Sequence, residues 1–179
     1  MDNGLIPRRY AKALYKFASE KGESHKIYEL AKKVIAAFQA DPRLQKVLGN
    51  PFVSDEDKEN LLNSAAGDLT DDIFRQFIKL ILSQKRVEYA YTMMLAYCDI
   101  FRNENKIHQV KITTASKLDA ERMKKLEWLV TDAFKDSILE FSEEVEPALI
   151  GGFVIDVDSV RMDASLSNEL EQLRQTLLS

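Results

Sequence analysis

Apolar residues recur every three or four positions through the first 106 residues, a spacing that predicts helices rather than strands. The first predicted helix starts near Pro7 and ends before Gly22, the order of these two residues that is typical of helix ends. Its apolar residues fall on one stripe, which comprises Tyr10, Ala13, Leu14, Phe17 and Ala18. This stripe gives the helix one apolar face.

Five further helices follow by the same criterion. Their apolar stripes cover residues 27–38, 44–48, 61–65, 73–82 and 87–101. Ser54 and Thr70 are the predicted N-caps of the fourth and fifth helices, because a short hydroxyl side chain accepts a hydrogen bond from the first turn. Six helices with short connections predict a compact bundle.

The period changes to two after Lys106, which predicts strands. Alternating segments occur at 110–113, 139–145, 152–157 and 160–162, and a helix capped by Ser116, with Asp119 three residues on, lies between the first two. The predicted fold class is therefore mainly α. A six-helix bundle over residues 1–106 precedes a small α+β domain over residues 107–179.

The end of the chain carries the clearest local signals. Gly151 and Gly152 open the third strand, where glycine tolerates the positive φ of a sharp turn. Asp163 and Ser165 are predicted to cap a closing helix over residues 166–178. The leucines of that helix are spaced four, three and four positions apart, at Leu166, Leu170, Leu173 and Leu177.

Composition excludes several classes of protein. The chain is 45% hydrophobic and 30% charged, as expected of a globular protein. Residues 1–106 hold 17 basic and 15 acidic residues, a net charge of +2, whereas residues 107–179 hold 8 and 14, a net charge of −6. No strongly basic patch with interleaved aromatics is present, so we expect no nucleic-acid partner. A salt-dependent affinity for DNA or RNA would support that competing class.

Localisation signals are few. One cysteine allows no disulfide within the chain, which fits a reducing compartment. The first residues lack a basic region followed by an apolar run, so we expect no signal peptide. No apolar run is long enough to span a membrane, so membrane association is expected only through partners.

Candidate chemistry is sparse. His25, His108 and Cys98 have no neighbours in sequence that would activate them, and the Asp156–Asp163 segment lacks the ligand spacing of a calcium loop. No glycine-rich phosphate motif is present. We therefore predict no catalytic, cofactor-binding or metal-binding residue. An enzyme with an unrecognised site in the α+β half is the competing class, and measurable turnover would identify it.

The fifth helix is apolar over more than one face, from Ile73 to Leu82. Two interpretations remain open. The helix is either the central helix of the bundle, or one wall of a groove that accepts an amphipathic helix from a partner.

Two segments resemble the delta subunits of bacterial F-type ATP synthases, whose mitochondrial counterpart is the oligomycin-sensitivity-conferring protein. One is the opening Arg9–Ala18 helix, with its Tyr-Ala-x-Ala pattern. The other is Leu149–Phe153 together with Asp163-Ala164-Ser165 and the leucine-rich helix. The spacing between them extends the resemblance over essentially the whole chain.

The resemblance implies a non-catalytic stator subunit that joins the catalytic head to the peripheral stalk, at the cytoplasmic face of the bacterial plasma membrane. Rotor torque then drives ATP synthesis coupled to proton transport. The implied partners are the N-terminal helix of an alpha subunit and the C-terminal region of the b subunits. No cofactor is implied. A helical adaptor unrelated to ATP synthase is the alternative.

The resemblance also implies where the partners bind. The alpha-subunit helix would lie between the first and fifth helices, on a set of seven residues: Tyr10, Ala13, Leu14, Phe17, Phe77, Ile78 and Ile81. The stalk would bind the closing helix at Leu166, Leu170, Leu173 and Leu177.

Overall fold

The computed structural model describes residues 4–67, 71–135 and 137–178, with the side chains of residues 177 and 178 left out. The first part of the chain is helical throughout. Its helices are α1 (Leu5–Glu20), α2 (Ser24–Ala40), α3 (Arg43–Gly49), α4 (Asp55–Ala65), α5 (Asp72–Ser83) and α6 (Ala90–Glu104). A 3₁₀ turn, Val87–Tyr89, leads into α6.

The buried face of α1 is shifted from the predicted stripe. Four residues are buried: Pro7, Ala11, Leu14 and Ala18. Tyr10 is half-buried, and Ala13 and Phe17 are exposed. Small Ala11 and Ala18, each 0% exposed, let α1 pack closely into the bundle, so the buried face lies to one side of the predicted stripe. The larger aromatics are left on the flank.

Aromatic packing joins α1, α2 and α6. Tyr28 stacks on Phe101 with ring centroids 4.4 Å apart, and Tyr15 lies 6.1 Å from Tyr97. The Tyr97 hydroxyl donates to the Ser24 carbonyl oxygen at 2.9 Å, which satisfies its polar group in the core. Burial raises the pKa of Tyr97 far above its ordinary value, so its hydroxyl stays a donor.

The helix caps agree with the predictions in part. The Ser54 hydroxyl accepts from Asp57 N at 3.1 Å, as an N-cap does. At α5 the N-cap is Asp71, whose Oδ1 accepts from Phe74 N at 2.9 Å. The predicted cap, Thr70, lies outside the described residues. The Asp71 carboxylate also meets Lys26 Nζ of α2, which lies 2.6 Å from Oδ2.

The second part of the chain contains a four-stranded sheet and two helices. Its elements are β1 (Ile107–Thr114), α7 (Ala120–Ala133), β2 (Ile138–Val145), β3 (Gly152–Val157), β4 (Val160–Ser165) and α8 (Leu166–Leu178). The strand order is β2-β1-β3-β4. β1 and β2 are parallel and connected through α7, whereas β3 is antiparallel to both β1 and β4.

The core of this part lies between α7 and one face of the sheet. Three residues of α7 pack against β1 and β3, and the cluster comprises Met123, Leu126, Val130, Val110, Ile112, Ile155 and Val157. Asp119, not Ser116, is the N-cap of α7, because its carboxylate accepts from Arg122 N at 2.8 Å.

The chain divides into two compact units, Met1–Glu104 and Asn105–Ser179. We call them the helical unit and the sheet unit. The fold class is the predicted one, a helical bundle followed by a small α+β unit. In the described part of the chain, no helix combines the length and apolarity needed to cross a membrane.

Candidate docking surfaces

The first candidate surface is the aromatic flank of α1, defined by Tyr10, Ala13 and Phe17. At about 100° per residue these three side chains lie on one flank of the helix, and Tyr15 lies on the other, against α6. Phe17 is 36% exposed and Ala13 is also exposed. The flank therefore offers aromatic area beside a small residue, an arrangement that admits a close neighbour.

Cations border this flank. Arg9 Cζ lies 6.0 Å from the centre of the Tyr10 ring, and Lys21 Nζ lies 6.0 Å from that of Phe17. Both distances are at the limit of a cation–π contact. A guest with acidic residues next to its apolar stripe would therefore find complementary charge here.

The α5 residues predicted for this site lie elsewhere. Phe77, Ile78 and Ile81 are 5%, 1% and 0% exposed, so they belong to the core of the helical unit. They line a void of only about 10 Å³ with residues of α2, α4 and α6, among them Val34, Leu62 and Met94. This is a packing defect rather than a groove, so the expectation that these three form an open wall does not hold in this structure. Leu14, at 4% exposed, is likewise a core residue.

Leu80 is the exposed apolar residue of α5, at 47%. The Leu82 edge of the helix lines a cleft with residues of α3, α4 and their connection, including Leu48, Pro51 and Lys58. Leu80 lies two residues from Leu82, about 200° around the helix, and therefore faces away from that edge. The helix α5 also contacts α1. Leu80 lies within the apolar run from Ile73 to Leu82 but is not among the seven residues predicted to bind the alpha-subunit helix. On a helical wheel Leu80 lies at the edge of the buried arc, about 20° from buried Ile73, so the apolar pattern of α5 alone does not mark it as exposed.

The second candidate surface is the leucine stripe of α8. Leu166, Leu170 and Leu173 are 46%, 56% and 60% exposed, and no described side chain of α8 is buried. The side chain of the fourth predicted residue, Leu177, lies outside the described residues. These three leucines remain about half exposed on their own unit, so their apolar surface is available to another chain.

A polar joint, formed by Asp163, Ser165 and Asn168 where β4 meets α8, fixes the start of α8. The Ser165 hydroxyl accepts from Asn168 N at 3.2 Å, which is the geometry of an N-cap. Asp163 Oδ1 in turn accepts from Ser165 N at 3.0 Å and from the Ser165 hydroxyl at 2.6 Å. These hydrogen bonds from Ser165 lower the pKa of Asp163. The carboxylate therefore orients the serine that caps the helix.

The glycine pair holds the same joint from the side of β3. Gly152 has a φ of +75°, and a Cβ on it would lie 2.1 Å from the Ala164 carbonyl oxygen. A Cβ on Gly151 would meet Leu166 Cδ1 at 2.6 Å. The Gly151 carbonyl oxygen accepts from Leu166 N at 3.0 Å. Both glycines therefore have a structural role, which is to bring β3, β4 and α8 close together.

The other residues considered for catalysis, His25, His108 and Cys98, lie in contacts that give them structural roles. His108 Nδ1 lies 2.5 Å from Asp158 Oδ2, at the turn between β3 and β4. The ring of His25 lies 6.0 Å from that of Phe101, and the thiol of Cys98 is buried. Among the described residues, no group of three or more histidine, cysteine or acidic side chains is arranged to hold a metal ion.

Comparisons with known proteins agree along nearly the full chain. The family model for the ATP synthase delta (OSCP) subunit matches residues 6–177. The ATP synthase subunit delta of Parabacteroides distasonis is 35% identical over 178 residues, covering 99% of this chain and 98% of the relative. The subunit of the same name from Phocaeicola vulgatus is 32% identical over 177 residues, covering 98% and 95%.

One solved structure shares the fold. A chain of the Toxoplasma gondii mitochondrial ATP synthase hexamer superimposes with a TM-score of 0.74 at 19% identity, covering 97% of this chain and 98% of that chain. At this identity the likeness concerns the arrangement of helices and strands.

Proposed function

Because the chain belongs to the ATP synthase delta (OSCP) subunit family, it is a stator subunit of the F-type ATP synthase, and we propose that it joins the catalytic head to the peripheral stalk through two separate surfaces. The observation that carries this proposal is the family match over residues 6–177, which spans both units. The same match disfavours a helical adaptor unrelated to ATP synthase.

The helical unit binds the head in this proposal. Its partner is the N-terminal helix of an alpha subunit, which lies on the aromatic flank of α1 and extends over Leu80 of α5. Burying one large apolar side chain stabilises a complex by about 1.5–3 kcal/mol, so Phe17 and Tyr10 together support tight binding. The neighbouring Arg9 and Lys21 would pair with acidic residues of the guest helix.

The sheet unit binds the stalk in this proposal, through the leucine stripe of α8 and the C-terminal region of the b subunits. Spacings of four, three and four residues match the a and d positions of a coiled-coil seam, which favours a helix as the partner. The exposure of Leu166, Leu170 and Leu173 supports this assignment, because about half of each residue is left uncovered within the sheet unit.

The role needs no catalysis from this chain. A stator subunit transmits force by staying bound on both sides, so its requirement is durable burial of apolar area rather than an active site. We propose that the protein is non-catalytic and lies at the cytoplasmic face of the bacterial plasma membrane, held there by the other subunits of the complex.

The head contact is tested by calorimetry with a peptide of the organism's own alpha-subunit N-terminus. Phe17→Glu places a charge in the proposed interface and should weaken binding about tenfold or more, which corresponds to 1.4 kcal/mol. The matched control is Leu95→Glu, since Leu95 of α6 is an equally exposed apolar residue, at 36%, outside the proposed surface. Equal loss of affinity in both variants, or none in either, would refute the assignment to α1.

A further inference from the structure

A cleft of about 300 Å³ opens on the helical unit, between α3, the connection from α3 to α4, the first turns of α4 and the end of α5. Its volume is at the lower end of those of small-molecule sites. Four of the residues that line it are 7% exposed or less, namely Leu48, Lys58, Leu82 and Val87. We call it the Lys58 cleft. It shares no residue with the two docking surfaces proposed above.

Lys58 is the one charged residue among these four buried ones. Its backbone N–H donates to the Ser54 carbonyl oxygen at 3.1 Å, so the ammonium is the polar group left to satisfy. Within residues 4–67, 71–135 and 137–178, this ammonium has neither an ion pair nor a hydrogen bond. Lysine is rarely buried unless it is paired, because an ammonium loses its hydration on burial. An anion from outside the chain would supply the partner.

Apolar walls surround this cation. They come from α3, the connection that follows it, α5 and the 3₁₀ turn before α6, and they comprise Leu48, Val53, Leu82 and Val87. Because four segments converge here, the concave shape is part of the packed helical unit rather than of one mobile side chain. Apolar ligand surface gains free energy when it leaves water for such walls. An anion with an apolar body should therefore bind better than an inorganic ion.

The outer edge of the cleft limits the charge of this anion. Three exposed residues lie there: Asp55, Lys85 and Glu88. Together with Lys58 they give two positive and two negative charges, so the cleft as a whole is neutral. A multiply charged phosphate compound would be repelled by both carboxylates, whereas a singly charged anion meets Lys58 with less repulsion. The carboxylate group is the common anion of single charge.

We propose that the Lys58 cleft binds a small free carboxylic acid with an apolar body. The ligand carboxylate pairs with Lys58 Nζ, and its hydrocarbon part packs on the walls beside Val53 and Leu82. This site belongs to the helical unit alone, so it is independent of the stator assignment.

The test titrates sodium hexanoate into the full-length protein at constant ionic strength. The NMR methyl resonances of Val53 and Val87 should shift to saturation. Lys58→Gln retains a long polar side chain but removes the charge, so the Kd should rise about tenfold or more. Lys46→Gln is the matched control, since Lys46 is an exposed lysine of α3 that does not line the cleft. Equal affinity in these two variants would refute the role of Lys58.

A second variant leaves the cation in place. Val53 is half-buried on a connection between helices, where a larger side chain is tolerated more easily than in the core. Val53→Phe should fill part of the cleft and also raise the Kd about tenfold or more. Circular dichroism establishes that each variant is folded. Undiminished binding of hexanoate to Val53→Phe would place the ligand elsewhere and overturn the inference.

Three further probes test the chemical class of the ligand. Hexanamide lacks the charge and inorganic phosphate lacks the apolar body, so each should bind at least tenfold more weakly than hexanoate. If either binds as well as hexanoate, the proposed class is wrong. A tripeptide that ends in valine carries both features on a chain terminus. If it binds more tightly than hexanoate, the site receives the end of another protein, and the free acid is refuted. The affinity of Lys58→Gln for the alpha-subunit peptide should stay unchanged, which separates this test from that of the proposed function.

Discussion

Asp71 links α5 to α2 through a carboxylate that solvent does not reach. Burial alone would raise the pKa of Asp71, but the Lys26 ammonium and the amide of Phe74 outweigh it, and the pKa lies below its ordinary value. A carboxyl group with a lowered folded-state pKa stabilises the fold above its unfolded pKa of about 3.9. That contribution is lost as the pH falls through the folded-state pKa.

Asp71→Asn should therefore destabilise the helical unit at pH 7 and have little effect at a pH below the folded-state pKa. Asparagine retains the N-cap acceptor, so the loss reports mainly the ion pair and should be about 1 kcal/mol. Urea unfolding followed by far-UV circular dichroism measures it. The control is Asp72→Asn, an exposed first-turn carboxylate. A loss at pH 7 that persists undiminished at low pH would show that the charge of Asp71 is not the cause.

Gly152 is the residue of the sheet unit least able to accept a side chain. Alanine there combines a φ of +75° with a Cβ 2.1 Å from a backbone oxygen, which cannot move without displacing β4. We expect Gly152→Ala to destabilise the unit by about 2 kcal/mol or more, because the left-handed conformation alone costs about 1–2 kcal/mol. Urea unfolding monitored by the fluorescence of Trp128, the chain's one tryptophan, reports on this unit.

Gly22 is the comparison for this substitution. Its φ is +72°, but nothing lies within 4 Å of a Cβ built on it. Gly22→Ala should therefore carry only the conformational cost of about 1–2 kcal/mol. If Gly152→Ala is no more destabilising than Gly22→Ala, the close approach of β4 contributes nothing to the stability of the joint.

At the scale of elements, the sequence predicts helices best where caps mark their ends. α8 runs from Leu166 to Leu178, the predicted range, because Ser165 ends the strand and starts the helix within one residue. The orientation of α1 was not predictable in the same way. The stripes through Tyr10 and Phe17 and through Ala11 and Ala18 are both compatible with a spacing of three and four, and only the packed bundle selects the small residues.

α5 shows a second limit. Its continuous apolar run is compatible with a core helix and with a groove wall, and the structure adopts the first for Phe77, Ile78 and Ile81. A sequence pattern shows how much apolar area must be covered, but not whether the same chain covers it. The sheet unit shows that an apolar strand can also be left uncovered. Val160 and Met162 of β4 pair with buried Val157 and Ile155 of β3, yet they are 71% and 52% exposed, because one helix does not extend over all four strands.

Ser165→Ala should loosen α8 without disturbing the sheet. An N-cap is worth about 1 kcal/mol, and α8 has no described buried side chain to compensate for its loss. We expect faster hydrogen exchange in the first turns of α8. The control is Ser167→Ala on the same helix. Exchange in α8 that is unchanged by Ser165→Ala would mean that the hydroxyl bond to Asn168 does not stabilise the helix.

At the scale of the molecule, the two units carry different charges and different candidate surfaces. Residues 1–106 have a net charge of +2 and residues 107–179 a net charge of −6, as suits two unlike partners. Charge and exposure alone predict that the two units bind partners, but they do not identify those partners. The stator function depends on the resemblance of Arg9–Ala18 and Leu149–Phe153 to the family, and the match over residues 6–177 establishes it.

Separate surfaces on separate units predict separable losses of binding. Truncation after Ser165 removes the α8 stripe but leaves every strand of the sheet, so stalk binding should be lost while affinity for the alpha-subunit peptide is unchanged. Phe17→Glu should do the reverse. Trp128 fluorescence establishes that the truncated sheet unit is folded. If truncation weakens both interactions equally, the two binding events are coupled, and a bridge with independent ends is the wrong description of this subunit.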